Sequence, residues 1–409
     1  MENKQKLPFI AILYRILILF YLCWGSHAWF TWWADFTDKN ITIALNIIFF
    51  LIAECYRRRM SIVLKRDKRI GIAVLCLVIA VVSGTESFGP LLIPNTLLRI
   101  YPLYVLLSDK DNAPSILSFL VTSMSVILVP GLIMHIIDLT VGMPISVPSV
   151  YGESYAYIFF NYFFLLKPIA EYEAESGRFF SIFIEPGYLG ILLSFLLYAS
   201  KFDLTKKQTW ILICGLIASF SLFGIVSSLV GYILIRLSKD LAVKKIVLFI
   251  LLSLPVYYFG VTYNNGNNII NSLIIERLQP DDEKGISGNN RVGEVCDAYF
   301  DQMVADGSIL YGMGYTKAEK MLGDETGIHG AGFKFFCIIN GALSAVLFLL
   351  FYFYVAPRRY IGKNKIYLWG LFLIYILAFF TQATPLATTW LTCYMLGYAN
   401  DSNEKAIYQ

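Results

Sequence analysis

The chain has 409 residues, of which 57% are hydrophobic, 16% aromatic and only 15% charged, and its mean hydropathy is positive. That composition excludes an ordinary soluble domain. The net charge of +4 carries little meaning as a total, since in a membrane protein the positions of the charges decide more than their sum, and no nucleic-acid partner is expected.

Lys4, Lys6 and Arg15 precede an apolar run ending near Ser26-His27-Ala28. A cleavable signal peptide has this outline, but with so many apolar runs to follow, a retained first helix is the expectation. Apolar stretches long enough to cross a bilayer core of about 30 Å recur along the chain. They fall near 9–30, 41–56, 70–85, 90–107, 114–139, 185–200, 209–221, 224–238, 245–262, 332–355, 365–380 and 384–399. The predicted fold class is therefore an all-α polytopic integral membrane protein with about 12 transmembrane helices. The pair at 209–238 also reads as a broken or re-entrant segment, because the turn between its two short helices is brief. The whole of 1–409 reads as one transmembrane domain without an internal repeat.

Basic residues alternate between connectors as the positive-inside rule requires. Arg57, Arg58, Arg59, Lys65, Arg66, Lys68 and Arg69 fill one connector. Lys201, Lys206 and Lys207, then Arg236, Lys239, Lys244 and Lys245, then Arg358, Arg359, Lys363 and Lys365 fall on the same side of a twelve-span arrangement. Both termini are then cytoplasmic. The opposite face carries two long loops, 140–184 and 263–331, where function is expected. In the first, "SYAYIFFNYFFLLKPIAEY" reads equally as a helix lying in the interface or as a re-entrant segment.

Arginine is scarce on that outer face: Arg178 stands in the first loop, Arg277 and Arg291 in the second. A guanidinium stays charged and its planar fork matches phosphate oxygens, so arginines from two loops suit a pyrophosphate clamp. The alternative is a loop-to-loop salt bridge with nearby acids. Glu185 precedes Pro186 and Gly187 at the start of a span, either as a helix-start residue or as a carboxylate whose pKa rises enough to take a proton from a sugar hydroxyl. His329, in "GIHGAGFKFF", is either a general base or a tolerated turn residue. Gly312 and Gly314, in "ILYGMGY", allow a tight turn or a close backbone approach to an anion.

Seven scattered cysteines (Cys23, Cys55, Cys76, Cys214, Cys296, Cys337 and Cys393) lack any C-x-x-C spacing and indicate neither a disulfide framework nor a zinc site. Asp281 to Glu283, Asp109 to Asp111 and the pair Asp35/Asp38 are divalent-cation candidates that read more simply as solvated carboxylates. Within the spans, Arg99, His135 and Asp138 are costly enough to require explanation. Arg99 is expected to face the bundle interior, and His135 and Asp138 to stand near the outer interface.

The order of "RFFSIFIEPGYLG", the serine-rich "SFSLFGIVSSLVG", "NNRVGEVCDAYF", "ILYGMGY" and "GIHGAGFKFF", set among about a dozen helices, resembles the O-antigen polymerase (Wzy) and O-antigen ligase superfamily of bacterial polysaccharide assembly. The resemblance implies a metal-independent glycosyltransferase of the inner membrane, without cofactor, working at the periplasmic face on undecaprenyl-diphosphate-linked oligosaccharides as donor and acceptor. It implies that Arg178 and Arg291 hold the donor diphosphate. Glu185 or His329 would orient or deprotonate the acceptor hydroxyl for inverting attack at the anomeric carbon. Gly330 stands where the family has a small polar residue. Arg277, Gly187, Gly312 and Gly314 complete the expected substrate-binding set. The aromatic-rich loops and "EPG" favour a polymerase, in company with a flippase and a chain-length regulator. A ligase acting on lipid A core and a flippase or transporter are the alternatives.

Overall fold

Helices dominate the computed structural model, which describes residues 8–33, 39–83, 90–144, 148–150, 158–169, 177–238, 257–266, 268, 271–276, 279–281, 285–286, 294–326, 332–356, 365–382 and 384–401. In chain order the longer elements are α1 (Phe9–Trp24), α2 (Trp29–Trp33), α3 (Lys39–Arg59), α4 (Lys68–Ser83), α5 (Leu92–Ser108) and α6 (Ala113–Thr140). Strands β1 (Pro148–Val150), β2 (Ile158–Asn161) and β3 (Leu166–Pro168) precede α7 (Pro186–Ala199), α8 (Lys207–Ala218) and α9 (Leu222–Ser238). Then come α10 (Glu294–Asp306), α11 (Tyr315–Thr326), α12 (Phe333–Val355), α13 (Lys365–Thr381) and α14 (Thr388–Asp401). Among the described residues, three helices are long and apolar enough to cross a membrane: 40–59 within α3, α6 and α12. Six shorter apolar helices accompany them.

The chain divides into two units, the first comprising 1–67, 90–224 and 386–409, the second 68–89 and 225–385. In the first unit α7 and α14 form the centre. Every residue of α7 is buried, as is α14 from Thr388 to Ala399, which suits helices apolar on all faces. Small residues let neighbours approach. A Cβ on Gly190 of α7 would lie 2.2 Å from Ser221 Cβ, and one on Gly25 would lie 2.4 Å from the Thr389 nitrogen. Thr388 and Thr389 donate their hydroxyls to the Tyr21 and Leu22 carbonyls at 2.7 Å, satisfying acceptors that the end of α1 leaves open.

That packing explains why α1 stops at Trp24 and does not continue to residue 30. Gly25 meets the α14 backbone, and His27 adopts a left-handed φ of 55° to turn the chain. A second break falls between α8 and α9, where Phe220 has φ 46°. The 12-residue α8 is about 18 Å long, short of the bilayer core.

The first long loop corrects the sequence reading. Residues 158–161 and 166–168 are strands, not a helix, in an antiparallel sheet ordered β1-β2-β3, with Phe159 opposite Pro168 and Asn161 opposite Leu166. Aromatic residues suit a pleated, half-buried surface. Phe159 and Leu166 turn inward to a small core with Phe180 and Ile184, edged by Trp29. Pro168 sits at a strand end, where its missing N–H breaks no central ladder.

In the second unit, α4 packs along α12. The Ser344 hydroxyl donates to the Ala80 carbonyl at 3.0 Å. Arg69 donates to the Ala356 and Phe353 carbonyls at 2.6 and 3.0 Å, closing the C-terminal end of α12 with a favourable charge. The Tyr352 hydroxyl donates to the Pro385 carbonyl at 2.7 Å, and its ring stacks on Tyr375.

Candidate functional site

The stretch from Arg178 to Glu185 is an irregular strap fixed by its backbone. At its start, the Phe179 N–H donates to the Ala218 carbonyl at 3.0 Å and Arg178 Nε donates to the Ser219 carbonyl at 3.2 Å, so the pair closes the end of α8. Ser181 turns the strap with φ 52°, and its carbonyl accepts the Leu166 N–H of β3 at 2.8 Å. The Ile182 carbonyl then accepts the Trp29 N–H at 2.9 Å, and the Ile184 N–H donates to the His27 carbonyl at 3.3 Å. Phe179 to Ile184 are buried, whereas Arg178 and Glu185 at the two ends are half-buried.

Glu185 occupies the N-cap of α7 in extended conformation, with Pro186 as the first helical residue, yet its carboxylate makes no capping hydrogen bond to that helix. Gly187 is buried in the first turn of α7.

One turn into α7, Tyr188 packs its ring 4.7 Å from the His27 ring. His27 lies within electrostatic reach of Arg99 on α5. The Arg99 guanidinium sits 5.0 Å above the Trp24 ring, and Tyr21 donates its hydroxyl to the Arg99 carbonyl at 3.0 Å. Arg99 Nε is enclosed without a hydrogen-bond partner, and among the described residues no carboxylate pairs with the side chain. Enclosing a guanidinium is costly unless it is paired, and the cation–π contact with the Trp24 ring offsets part of that cost.

His135 and Asp138 occupy the last turns of α6. The His135 ring lies 5.3 Å from Phe179, and Asp138 accepts from Lys167 Nζ at 2.6 Å and from the Met143 N–H at 3.1 Å. The pair therefore ties the sheet and strap to the end of α6. Asp109 is likewise engaged, accepting from the Tyr56 hydroxyl at 2.6 Å and from Asn112 Nδ2 at 2.9 Å.

Gly312 and Gly314 belong to the second unit, where both have positive φ. The Met313 and Gly314 N–H groups donate to the Ile338 and Ile339 carbonyls at 2.7 and 3.0 Å. Those carbonyls lie beside Gly341, whose φ of 83° and ψ of 151° kink α12. A Cβ on Gly312 would stand 2.5 Å from the Gly341 nitrogen and the Ile339 carbonyl oxygen. Both glycines form a tight turn here. The close backbone approach is to α12.

Arg277, Arg291 and His329 lie outside the described residues, as do Asp35, Asp38, Asp282 and Glu283. The structure thus places Arg178 and Glu185 at the two ends of one strap, Gly187 in the helical turn that follows it, and Gly312 and Gly314 in a separate turn. Sequence reasoning missed His27, Trp24 and Tyr188 as neighbours of the strap and of Arg99. No local signal could have found them, since only the tertiary fold brings the α1 turn to the start of α7. Comparison with protein-family models, curated proteins and solved structures finds no match for this chain.

Proposed function

We propose that this chain is an O-antigen-type polysaccharide polymerase of the bacterial inner membrane, with both termini cytoplasmic and its working face periplasmic. The observation that supports this reading is the strap. It holds an arginine and a glutamate at the two ends of a buried, backbone-anchored stretch, and the glutamate stands at the N-terminus of α7 without capping it.

In this reading the substrate is a glycan on a polyprenyl diphosphate. Arg178, braced on Ser219, and Arg291 hold the diphosphate, where fixed positive charge stabilises the departing group. The acceptor hydroxyl of a new lipid-linked repeat attacks the anomeric carbon from the opposite face. Its proton passes to Glu185 or His329, the new glycosidic bond forms, and the bond from anomeric carbon to phosphate oxygen breaks with its electron pair going to the lipid diphosphate. The leaving group is already activated, so positioning and charge stabilisation suffice and no metal or cofactor is invoked. A flippase supplies the repeats, and a chain-length regulator acts alongside.

The test is a lipopolysaccharide gel of a deletion strain complemented with wild type, Arg178→Ala or Arg291→Ala, each matched for membrane abundance. The reading expects the deletion and both variants to collapse the ladder to core plus a single repeat. Core alone would turn the reading to a ligase, and full ladders from both variants would remove the clamp.

A further inference from the structure

We propose that Arg99 is the receptor of a second, membrane-embedded anion site in the first unit, which takes a phosphate oxyanion carried by a lipid. The site is built from side chains on three helices and a turn. Arg99 projects from α5 over the Trp24 ring of α1, with His27 from the turn that follows and Tyr188 from α7 beside it. Asn95, one turn earlier on the same face of α5, is held by Asn46 Nδ2 at 2.8 Å and adds a polar edge.

Three features point to an anion. First, the guanidinium is permanently charged and has a ring, not a carboxylate, as its neighbour among the described residues. Second, its Nε is shut off from solvent and makes no hydrogen bond, so a donor is held ready and unused. Third, ionisable groups inside a membrane bundle mark substrate or ion paths. Phosphate is the class that fits. Arg99 stands seven residues after the start of α5, about 10 Å along the helix, and its surroundings are aromatic. A hydrated soluble anion would have to shed its water to enter, whereas a lipid-borne phosphate arrives with an apolar tail. The planar fork matches two phosphate oxygens.

This site concerns binding alone and stands whether or not the chain makes glycosidic bonds. The experiment uses the full-length purified protein. Binding of farnesyl diphosphate, farnesol, phosphatidylglycerol and inorganic diphosphate is measured by native mass spectrometry, with thermal unfolding in parallel. For wild type, farnesyl diphosphate is expected to bind and farnesol is not. Arg99→Met should weaken that binding at least tenfold while the unliganded protein unfolds at the same or a higher temperature, because an uncompensated charge has been removed. A merely structural arginine would lower the midpoint and leave affinity unchanged.

Arg99-dependent binding of phosphatidylglycerol instead would uphold the site and identify bulk lipid as its source, whereas inorganic diphosphate bound as tightly as farnesyl diphosphate would overturn a lipid-borne ligand. Equal affinity in Arg99→Met, or equal binding of farnesol and farnesyl diphosphate, would overturn it. Should Arg99→Met fail to fold, Arg99→Lys keeps the charge but not the fork. A loss of threefold or more in affinity then supports the site, and unchanged affinity removes it.

Discussion

Ser181 holds a left-handed backbone and a buried hydroxyl without a hydrogen-bond partner among the described residues. Each carries a cost: about 1–2 kcal/mol for the conformation in a non-glycine residue and ~1–3 kcal/mol for the unsatisfied hydroxyl. Ser181→Gly removes both and leaves the Leu166 anchor to the backbone carbonyl intact. Even after the larger entropy loss of glycine on folding, it should stabilise the protein by ~1 kcal/mol. A raised thermal midpoint in detergent checks this, and a lowered one would mean that the Ser181 side chain contributes something the hydrogen-bond pattern does not contain.

Cys296, on α10, offers a second residue-scale prediction. Burial, then the neighbouring Asp297, push its thiol up from 9.0 to about 11, against the opposing charge of Lys334. The folded state therefore binds a proton more tightly than the unfolded chain. Its stabilising contribution is full below about pH 9 and is lost as pH rises through about 11. Alkylation of Cys296 by iodoacetamide, read by peptide mass spectrometry, should be roughly 100-fold slower at pH 8 than that of an exposed thiol. Half-maximal reaction below pH 9 would contradict the assignment. Arg99 shows the limit of sequence reasoning at this scale. A charge amid apolar residues marks it as costly, but its place over Trp24 and near His27 depends on contacts between distant parts of the chain.

At the scale of elements, the longer apolar helices were legible as apolar runs, whereas α10 and α11 fall in a stretch read only as a loop and most of the run at 245–262 lies outside the described residues. The ends of the apolar helices were not legible, because they depend on neighbours. α1 ends where Gly25 meets α14, and α12 bends where Gly341 meets the Gly312 turn. The strands at 158–168 were misread because an unbroken aromatic run shows no period of its own. Burial alternates only once the sheet lies on the strap: Phe159 is enclosed while Ile158 and Phe160 are half-buried. A close crossing lies between α7 and the start of α9, where Gly190 faces Ser221 and Gly224. Gly190→Ala places a methyl group 2.2 Å from Ser221 Cβ. The helices must then separate, at a cost of ~1–3 kcal/mol. A drop in thermal midpoint is expected, with partial recovery in Gly190→Ala/Ser221→Gly. No drop would mean that the crossing is looser than its geometry.

At the scale of the molecule, composition alone marks a membrane protein. Among the described residues, three helices are long and apolar enough to cross a bilayer, together with shorter apolar ones. The proposed chemistry rests on an order of short motifs in the sequence, and the structure adds a backbone anchor for one of them, the strap from Arg178 to Glu185. The measurement that bears most directly on the polymerase reading uses the purified chain in nanodiscs with a synthetic undecaprenyl-diphosphate-linked repeat unit, in chelator, with products separated by size. The account predicts a ladder of lipid-linked oligomers that grows by one repeat at a time, releases undecaprenyl diphosphate, and is absent with Arg178→Ala. If the single repeat remained unextended while the wild-type protein stayed folded, the account would be contradicted.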